Sequence, residues 1–163
     1  MPKLSGFTLI ELLIVIAIIG ILTSIGLVSF NSSQMKSRDA KRKANLQQIA
    51  SALELYYNDK NQYPAGDSEG RVMGCGAGAT AVCTWGTTPF SNTTTGTIYM
   101  TKIPTDPSSY NYYYRASRVS GIYTKYQIYA HLENSQDKSI ITTTLSCGTA
   151  TCNYGISSGN TTP

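Results

Sequence analysis

The residue types that enzymes use for catalysis are few in this sequence, and their spacing does not bring them together. His131 is the single histidine, and it falls in a stretch that alternates as a β-strand does. No pair of carboxylates stands out, and the sequence contains neither a nucleophile elbow nor a phosphate-binding loop. We therefore expect no catalytic site and no enzymatic activity, and we expect His131 to be an ordinary residue of a sheet.

The four cysteines form two close pairs, Cys75 with Cys83 and Cys147 with Cys152. Both pairs lie in polar, loop-like sequence that gives no reason to bury free thiols. We interpret them as disulfides formed in an oxidising compartment, with pairing between neighbours favoured among the three connectivities. A zinc site is the alternative interpretation, but the CxxC spacing that is usual in such sites is absent.

The most informative charged residue is Glu11, which lies near the start of an apolar run that extends from Phe7 to Phe30. A membrane-spanning helix needs about 20 apolar residues, so residues 7–30 are predicted to cross a bilayer. An acidic side chain near the centre of such a helix costs about 3 kcal/mol and usually marks a functional partner. Alternatively, Glu11 lies near the membrane interface, where the positive end of the helix dipole stabilises it.

An ordinary secretory signal peptide is another interpretation of the N-terminus, with Lys3 as its basic start. The internal Glu11 and the lack of a small-x-small cleavage site after the run argue against it. Charge counting does not settle the orientation, because basic residues lie on both sides of the run.

The sequence around Glu11 carries a family resemblance. It reads Gly6-Phe7-Thr8-Leu9-Ile10-Glu11-Leu12-Leu13. With a short leader before it and unbroken apolar sequence after it, this stretch resembles the class III signal of type IV pilins and type II secretion pseudopilins. The resemblance implies that a prepilin peptidase cleaves between Gly6 and Phe7 and methylates the new N-terminus. It also implies that Glu11 pairs with the terminal amine of a neighbouring subunit during assembly.

After residue 33 the chain resumes helical periodicity, with one apolar face. That face contains Leu46, Ile49, Ala50, Leu53, Tyr56 and Tyr57. We predict one helix from Phe7 to about Asn58, which ends before Tyr63-Pro64. The apolar run at residues 7–30 contains Gly20 and Gly26. They lie in a region where pilins commonly carry a proline that is associated with local unwinding of the helix.

Residues 65–97 are rich in Gly, Thr, Ala and Ser and predict a long loop. Trp85 and Phe90 within it either contact a partner or cover the edge of a sheet. Strands are predicted at residues 110–116, 123–132 and 139–145, with turns at 118–121 and 134–137.

The resemblance extends weakly into this second half. Pro104-Thr105-Asp106-Pro107 is similar to the stretch that enters the first strand of the major pseudopilin of type II secretion, although Ser108-Ser109 replace its usual Trp-Gly. The resemblance implies an α+β type IV pilin fold, in which a long N-terminal helix packs against a small antiparallel sheet. The expected parts are a leader (1–6), a transmembrane and polymerisation helix (7–30), an amphipathic continuation (31–62), and a head (63–163) with a variable loop (65–97) and a sheet (about 99–145).

Many such pseudopilins bind calcium near their C-terminal strands. The turn after the second predicted strand offers oxygen ligands from Glu133, Asn134, Ser135 and Asp137. Their spacing matches no strict calcium motif, so a solvated turn is favoured. Glu133 and Asp137 are the weak calcium candidates, and no other metal or cofactor is expected.

The net charge of +4 is concentrated in the basic cluster from Lys36 to Lys43. This cluster either attracts anionic lipid before assembly, or pairs with acids of neighbouring subunits, or forms a solvated helix face. Nucleic-acid binding is disfavoured, because no aromatic residue interrupts the cluster.

Together these features predict a structural subunit of a type IV pilus-like surface filament, a helical homo-oligomer assembled through residues 7–30. Its precursor would lie in the bacterial cytoplasmic membrane and would depend on a prepilin peptidase and the pilus assembly machinery. The alternatives are a pseudopilin of a type II secretion-like system and a minor tip pilin or adhesin with a ligand-binding loop at residues 65–97.

Overall fold

The structure is a computed structural model that describes residues 6–163, with the backbone alone described at residues 25–29. Helix α1 spans Leu9–Lys60, 52 residues, and continues through Gly20 and Gly26 without a break. It ends where Asn61 adopts a left-handed conformation (φ 53°) and donates its N–H to the carbonyl oxygen of Tyr57 at 2.7 Å. Asparagine tolerates this conformation, which is common just past helix C-termini. The predicted long helix is confirmed.

The chain divides into two compact units, one ending at Ser37 and the other beginning at Arg38. In the first unit the large apolar side chains are exposed, from 48% for Val15 to 89% for Phe7, which precedes α1. They are Phe7, Leu9, Ile10, Leu12, Leu13, Ile14, Val15, Ile16, Ile18, Ile19, Ile21, Leu22 and Phe30.

None of the helical residues described here forms a stretch with both the length and the hydropathy that crossing a membrane requires. The membrane-spanning role of residues 7–30 stays a prediction of the sequence.

The second unit contains three small antiparallel sheets. The first is formed by β1 (Ala65–Gly66), β2 (Val72–Cys75) and β3 (Ala81–Val82), and the second by β4 (Phe90–Asn92) and β5 (Thr97–Met100). The third is formed by β6 (Tyr113–Val119), β7 (Ile122–Ala130) and β8 (Tyr154–Ser157), with β7 in the centre. A tight turn joins β6 to β7 at Ser120 and Gly121, whose φ angles of 52° and 87° suit a two-residue hairpin.

The segment 65–97 is not the long loop that its composition predicts. It contains β1 to β4 and a 3-10 turn at Ala77–Ala79, and a disulfide links Cys75 of β2 to Cys83. Strands of two to four residues are too short to show a two-residue alternation in sequence. Register shifts at Met73/Cys75 and at Phe90/Ser91 interrupt the pattern further.

The core of the second unit joins the apolar face of α1 to all three sheets. From the helix, Leu46, Ile49, Ala52, Leu53 and Tyr56 are buried. They share one cluster with the inward-facing side chains of β6 and β7: Tyr114, Tyr126, Ile128 and Ala130. The alternation predicted for this strand is therefore confirmed. Phe90, buried to 1% exposure, lies between the rings of Tyr56 and Tyr99, so it is a core residue and not a partner contact.

The predicted strand at residues 139–145 is absent from the structure, and β8 supplies the third strand of that sheet instead. Residues 141–153 lie over the outer face of β7. There Tyr129, which is 2% exposed, packs with the disulfide between Cys147 and Cys152, the neighbour pairing that the sequence favours. The central strand is thus covered on both faces.

Replacing Gly155 with alanine should destabilise the second unit, because the new Cβ would lie 2.7 Å from the ring of Tyr129. We expect the free energy of unfolding to fall by about 1–3 kcal/mol, as for other overpacked sites. Urea unfolding of the chain in detergent measures this. The matched control is Gly159→Ala, whose Cβ would meet no atom within 4 Å. Equal unfolding midpoints for the two variants would contradict the packing described here.

Candidate functional site

The N-terminus of α1 is closed by a reciprocal set of hydrogen bonds between Thr8 and Glu11. The Glu11 carboxylate accepts the Thr8 backbone N–H at 2.8 Å and the Thr8 hydroxyl at 2.7 Å. In return, the Glu11 N–H donates to the Thr8 hydroxyl oxygen at 3.3 Å. This is a capping box, which satisfies backbone donors that have no partner in the first turn of a helix.

The sequence signal for this cap is a threonine three residues before a glutamate. A helix-dipole contribution at Glu11 was among the predictions from the sequence, but the cap was not. The structure gives Glu11 a partner within its own chain. Pairing of Glu11 with another subunit stays a prediction.

Gly6 and Phe7 precede the helix and are exposed, with Phe7 89% exposed. The remainder of the predicted leader, residues 1–5, lies outside the described residues. Cleavage between Gly6 and Phe7 and methylation of Phe7 stay predictions.

In the second unit, Arg42 is fully buried and is surrounded by acceptors from distant parts of the chain. Its Nε and Nη2 donate to the two oxygens of Asp106 at 2.7 and 2.9 Å, and its Nη1 donates to Asp39 at 2.8 Å. Its Nη2 also lies 2.7 Å from an oxygen of Glu133 and donates to Ser108 at 2.6 Å. We call these five residues the arginine clamp.

The clamp ties three separate segments together. Asp39 accepts the backbone N–H groups of Glu133 and Asn134 at 2.9 and 2.8 Å, and Arg38 donates to the Glu133 carboxylate. Asp106 also accepts the backbone N–H of Ser108 at 2.8 Å. Thus α1 is joined to the segment before β6 and to the turn after β7.

The structure corrects the interpretation of the basic cluster. Arg42 and Asp39 are 0% and 3% exposed, so they form neither a solvated helix face nor a lipid-binding patch. The pairing with acids is real, but the acids belong to the same chain. The sequence offered no signal for this, because Asp106 and Glu133 are distant in sequence from Arg42. Only Lys36 and Lys41 of the cluster remain exposed.

Electrostatics in the clamp favour the charged forms. Hydrogen bonds from Arg38, opposed by burial and reinforced by Arg42, lower the pKa of Glu133 to about 2. Burial raises the pKa of Asp106, but its bonds to Arg42 and Ser108 outweigh burial and lower it overall. Burial likewise opposes the charge of Arg42, yet its carboxylate partners raise its pKa. The clamp is therefore an ionic network at neutral pH.

The two weak calcium candidates are both engaged by cations. Glu133 pairs with Arg38 and Arg42, and the Asp137 carboxylate accepts from Lys43 at 2.8 and 2.9 Å. A calcium ion at this turn would compete with these three cations for the same oxygens. Calcium binding stays a prediction.

His131 lies just past the end of β7, where its Nδ1 is 2.7 Å from the Thr151 carbonyl oxygen and its ring contacts Tyr110. These contacts give it a structural partner.

Residues 1–27 match the family described as the prokaryotic N-terminal methylation motif. The chain is 42% identical over 62 residues to the type IV major pilin protein PilA of Myxococcus xanthus, a match that covers 38% of this chain and 28% of that protein. The chain also matches the type II secretion system core protein G of Vibrio cholerae, with 29% identity over 70% of this chain and 72% of that protein. It matches core protein G of Pseudomonas aeruginosa with 29% identity over 76% of this chain and 82% of that protein. The chain is thus similar to type IV pilins and to type II secretion core proteins. No solved structure gives a significant match.

The similarity to the methylation-motif family lies in residues 1–27, and the matches to core protein G extend into the second unit. The long helix and antiparallel sheets agree with the α+β pilin fold. The chain spans only 28% of the length of the pilin PilA that it matches.

Replacing Arg42 with methionine should strongly destabilise the second unit, because three carboxylates would lose the cation that they surround. Breaking a buried ionic network by removing one member typically costs about 3–5 kcal/mol. Urea unfolding of the chain in detergent measures the change. Lys41→Met, at an exposed neighbouring position, is the control and should change stability by less than about 0.5 kcal/mol. Similar midpoints for the two variants would show that the clamp contributes little.

Acid should weaken the head through Glu133. Because its pKa of about 2 in the folded chain lies below its ordinary value of 4.5, the unfolded chain takes up the proton first as pH falls. The stabilisation is complete above about pH 4.5 and is lost by about pH 2, an effect on the order of 2–3 kcal/mol. Thermal unfolding between pH 2 and pH 6 measures the slope. Glu133→Gln should flatten it, whereas Glu69→Gln, at a side chain that is 69% exposed, should leave it unchanged. A wild-type slope in Glu133→Gln would refute the assignment.

Proposed function

We propose that this chain is a structural subunit of a type IV pilus-like filament and that it polymerises through the apolar part of α1. The relatives are pilins and secretion core proteins, and a minor fimbrial protein is also among them, 41% identical over 59 residues. The precursor is anchored in the membrane, and the filament forms at the cell surface or in the periplasm. The chain acts as a building unit and not as an enzyme.

The observation that carries this proposal is the exposed apolar surface of the first unit. Thirteen large apolar side chains between Phe7 and Phe30 are about half exposed or more. Burial of apolar area gains about 25 cal/mol per Å², so water is an unfavourable surrounding for a surface of this size. A bilayer covers it before assembly, and like helices cover it in the filament.

Glu11 gives the apolar surface its register. In our proposal a peptidase removes residues 1–6, and the methylated amine of Phe7 pairs with Glu11 of the neighbouring subunit. A carboxylate in apolar surroundings is costly unless it is paired, so a misaligned subunit would leave this charge unsatisfied. The capping box with Thr8 holds the carboxylate at the first turn of the helix, close to the chain end that cleavage creates.

A second candidate function is that of a pseudopilin in a type II secretion-like system. The observation that favours it is the extent of the matches, since similarity to the core protein G sequences covers 70% and 76% of this chain and includes much of the head. The match to the pilin PilA covers 38%. Both functions use the same assembly mechanism and differ in the length and location of the filament.

The test compares Glu11→Ala with Thr8→Ala in cells that express the chain with its assembly machinery. Both substitutions disrupt the capping box, which is worth about 1 kcal/mol of helix stability: Thr8→Ala removes the hydroxyl and keeps the backbone donor, and only Glu11→Ala removes the charge. We expect Glu11→Ala to abolish sheared surface filaments and Thr8→Ala to retain them. The filament fraction of the wild type should contain a chain that begins at N-methylated Phe7, as measured by mass spectrometry.

Three results would count against the proposal: abundant filaments from Glu11→Ala, a chain that still begins at Met1 in the filament fraction, or a chain found only in membranes. Loss of filaments in both variants would assign the effect to the helix cap and would remove the charge-pairing step. Filaments that appear only when a secretion system is overproduced would select the pseudopilin.

A further inference from the structure

A cavity of about 520 Å³ opens on the surface of the second unit. Its lining comes from four separate parts of the chain: the turn between β1 and β2, the loop after β3, the segment that leads into β6, and the disulfide loop that precedes β8. The side chains that matter most are Ser68, Arg71, Trp85, Thr105, Asn111 and Tyr113. The volume is within the range of about 300–1,000 Å³ that is typical of small-ligand sites.

Two aromatic rings form part of the wall and are held in place. Trp85 is partly buried and meets the buried ring of Tyr112 edge-on, with centroids 5.8 Å apart at 89°. Tyr113 lies against Gly70, where an added Cβ would be 2.4 Å from the ring. Gly70 also has a positive φ of 76°, so this position requires glycine both for its backbone conformation and for the space next to the ring.

The wall is also fixed on its polar side. The Asn111 backbone N–H donates to the carbonyl oxygen of Cys147 at 3.0 Å, and its side chain is 3.2 Å from where a Cβ on Gly148 would lie. The disulfide between Cys147 and Cys152 closes this loop, and Cys83, next to the Trp85 loop, is linked to Cys75. The cavity is therefore formed before any ligand arrives.

Several polar side chains that line the cavity have hydrogen-bonding groups available for a ligand. Among the residues that the structure describes, five lining side chains make no hydrogen bond to the protein: Ser68, Trp85, Thr105, Asn111 and Tyr113. They offer the indole N–H, an amide that both donates and accepts, and three hydroxyls. Aromatic surface beside unpaired donors and acceptors suits a ligand with one apolar face and many hydroxyl groups.

The charges at the cavity disfavour an anion. Arg71 is the cationic lining residue, and its guanidinium already pairs with Asp67 at 2.7 Å and with Glu69 at 3.1 Å. Two carboxylates thus surround one guanidinium, which leaves a net negative charge at this edge. A phosphate or an acidic sugar would be repelled, whereas a neutral ligand is not.

We propose that this cavity binds a neutral saccharide, with a sugar ring packed on Trp85 and Tyr113 and its hydroxyls bonded to Asn111, Thr105 and Ser68. The C–H faces of a sugar ring match aromatic surfaces, and its hydroxyls both donate and accept. This binding activity goes beyond the structural role of the chain and does not depend on filament assembly.

The test uses Trp85, the single tryptophan of the chain, as the reporter. The full chain, labelled at the indole nitrogen and held in a zwitterionic detergent that carries no sugar, is titrated with lactose, cellobiose and N,N′-diacetylchitobiose while the indole N–H resonance is followed by NMR. We expect a saturable shift with at least one of them. Asn111→Ala should weaken that binding about tenfold, since a good hydrogen bond to the ligand is lost. Asn160→Ala, at an exposed position outside the cavity, should bind as the wild type does.

No saturable shift with any of the three sugars would overturn the proposal, as would unchanged affinity in Asn111→Ala. Titration with 3′-sialyllactose and with inorganic phosphate decides between a site for neutral saccharides and a site for anions. Tighter binding of either one than of lactose would identify an anion site and refute a neutral saccharide. Because Asn111 is exposed, its alanine variant should fold, and the unchanged dispersion of the remaining resonances verifies this.

Discussion

The guanidinium of Arg42 is buried, and the arrangement of the second unit depends on supplying hydrogen-bond acceptors to its N–H groups. A buried cation is costly unless each of its N–H groups meets an acceptor, and here those acceptors come from helix α1, from the segment before β6 and from the turn after β7. Each of the three carboxylates also accepts from backbone N–H groups or from Arg38. Within the described part of the chain, no buried side-chain nitrogen or oxygen lacks a partner. One side chain thereby fixes the positions of three segments that are far apart in sequence.

The two units differ in whether they contain partners for their own buried charges and apolar side chains. The head pairs its buried charges internally and covers both faces of its central strand. The first unit leaves its apolar side chains exposed, whereas Thr8 and Glu11 satisfy the hydrogen bonds at its helix start. Most apolar side chains of the head are therefore buried within it, whereas those of the helical segment have no cover from the chain itself. This difference between the units is consistent with the proposed function, in which the helical segment is covered first by a bilayer and then by neighbouring helices.

The sequence predicted those features that depend on local pattern. The helix, the hairpin of β6 and β7 and the disulfide partners follow from periodicity, from a glycine turn and from short cysteine spacing. The strand predicted at residues 139–145 was wrong, because β8 pairs with β7 instead and Ile141 and Leu145 pack against Tyr129 on the outer face of that strand. The clamp was not predicted, because the basic cluster that contains Arg42 was interpreted as a surface for lipid, for acids of neighbouring subunits or for solvent. Burial of an arginine is decided by partners more than 60 residues away, and no local window contains them.

Both disulfides join cysteines that are consecutive in the chain, with separations of 8 and 5 residues. When a polypeptide enters an oxidising compartment from its N-terminus, Cys75 meets Cys83 before either later cysteine arrives, and the last two then have only each other. Vectorial oxidation alone therefore yields the native connectivity. The native pairing therefore needs no exchange between mispaired cysteines when the bonds form in the order of the chain.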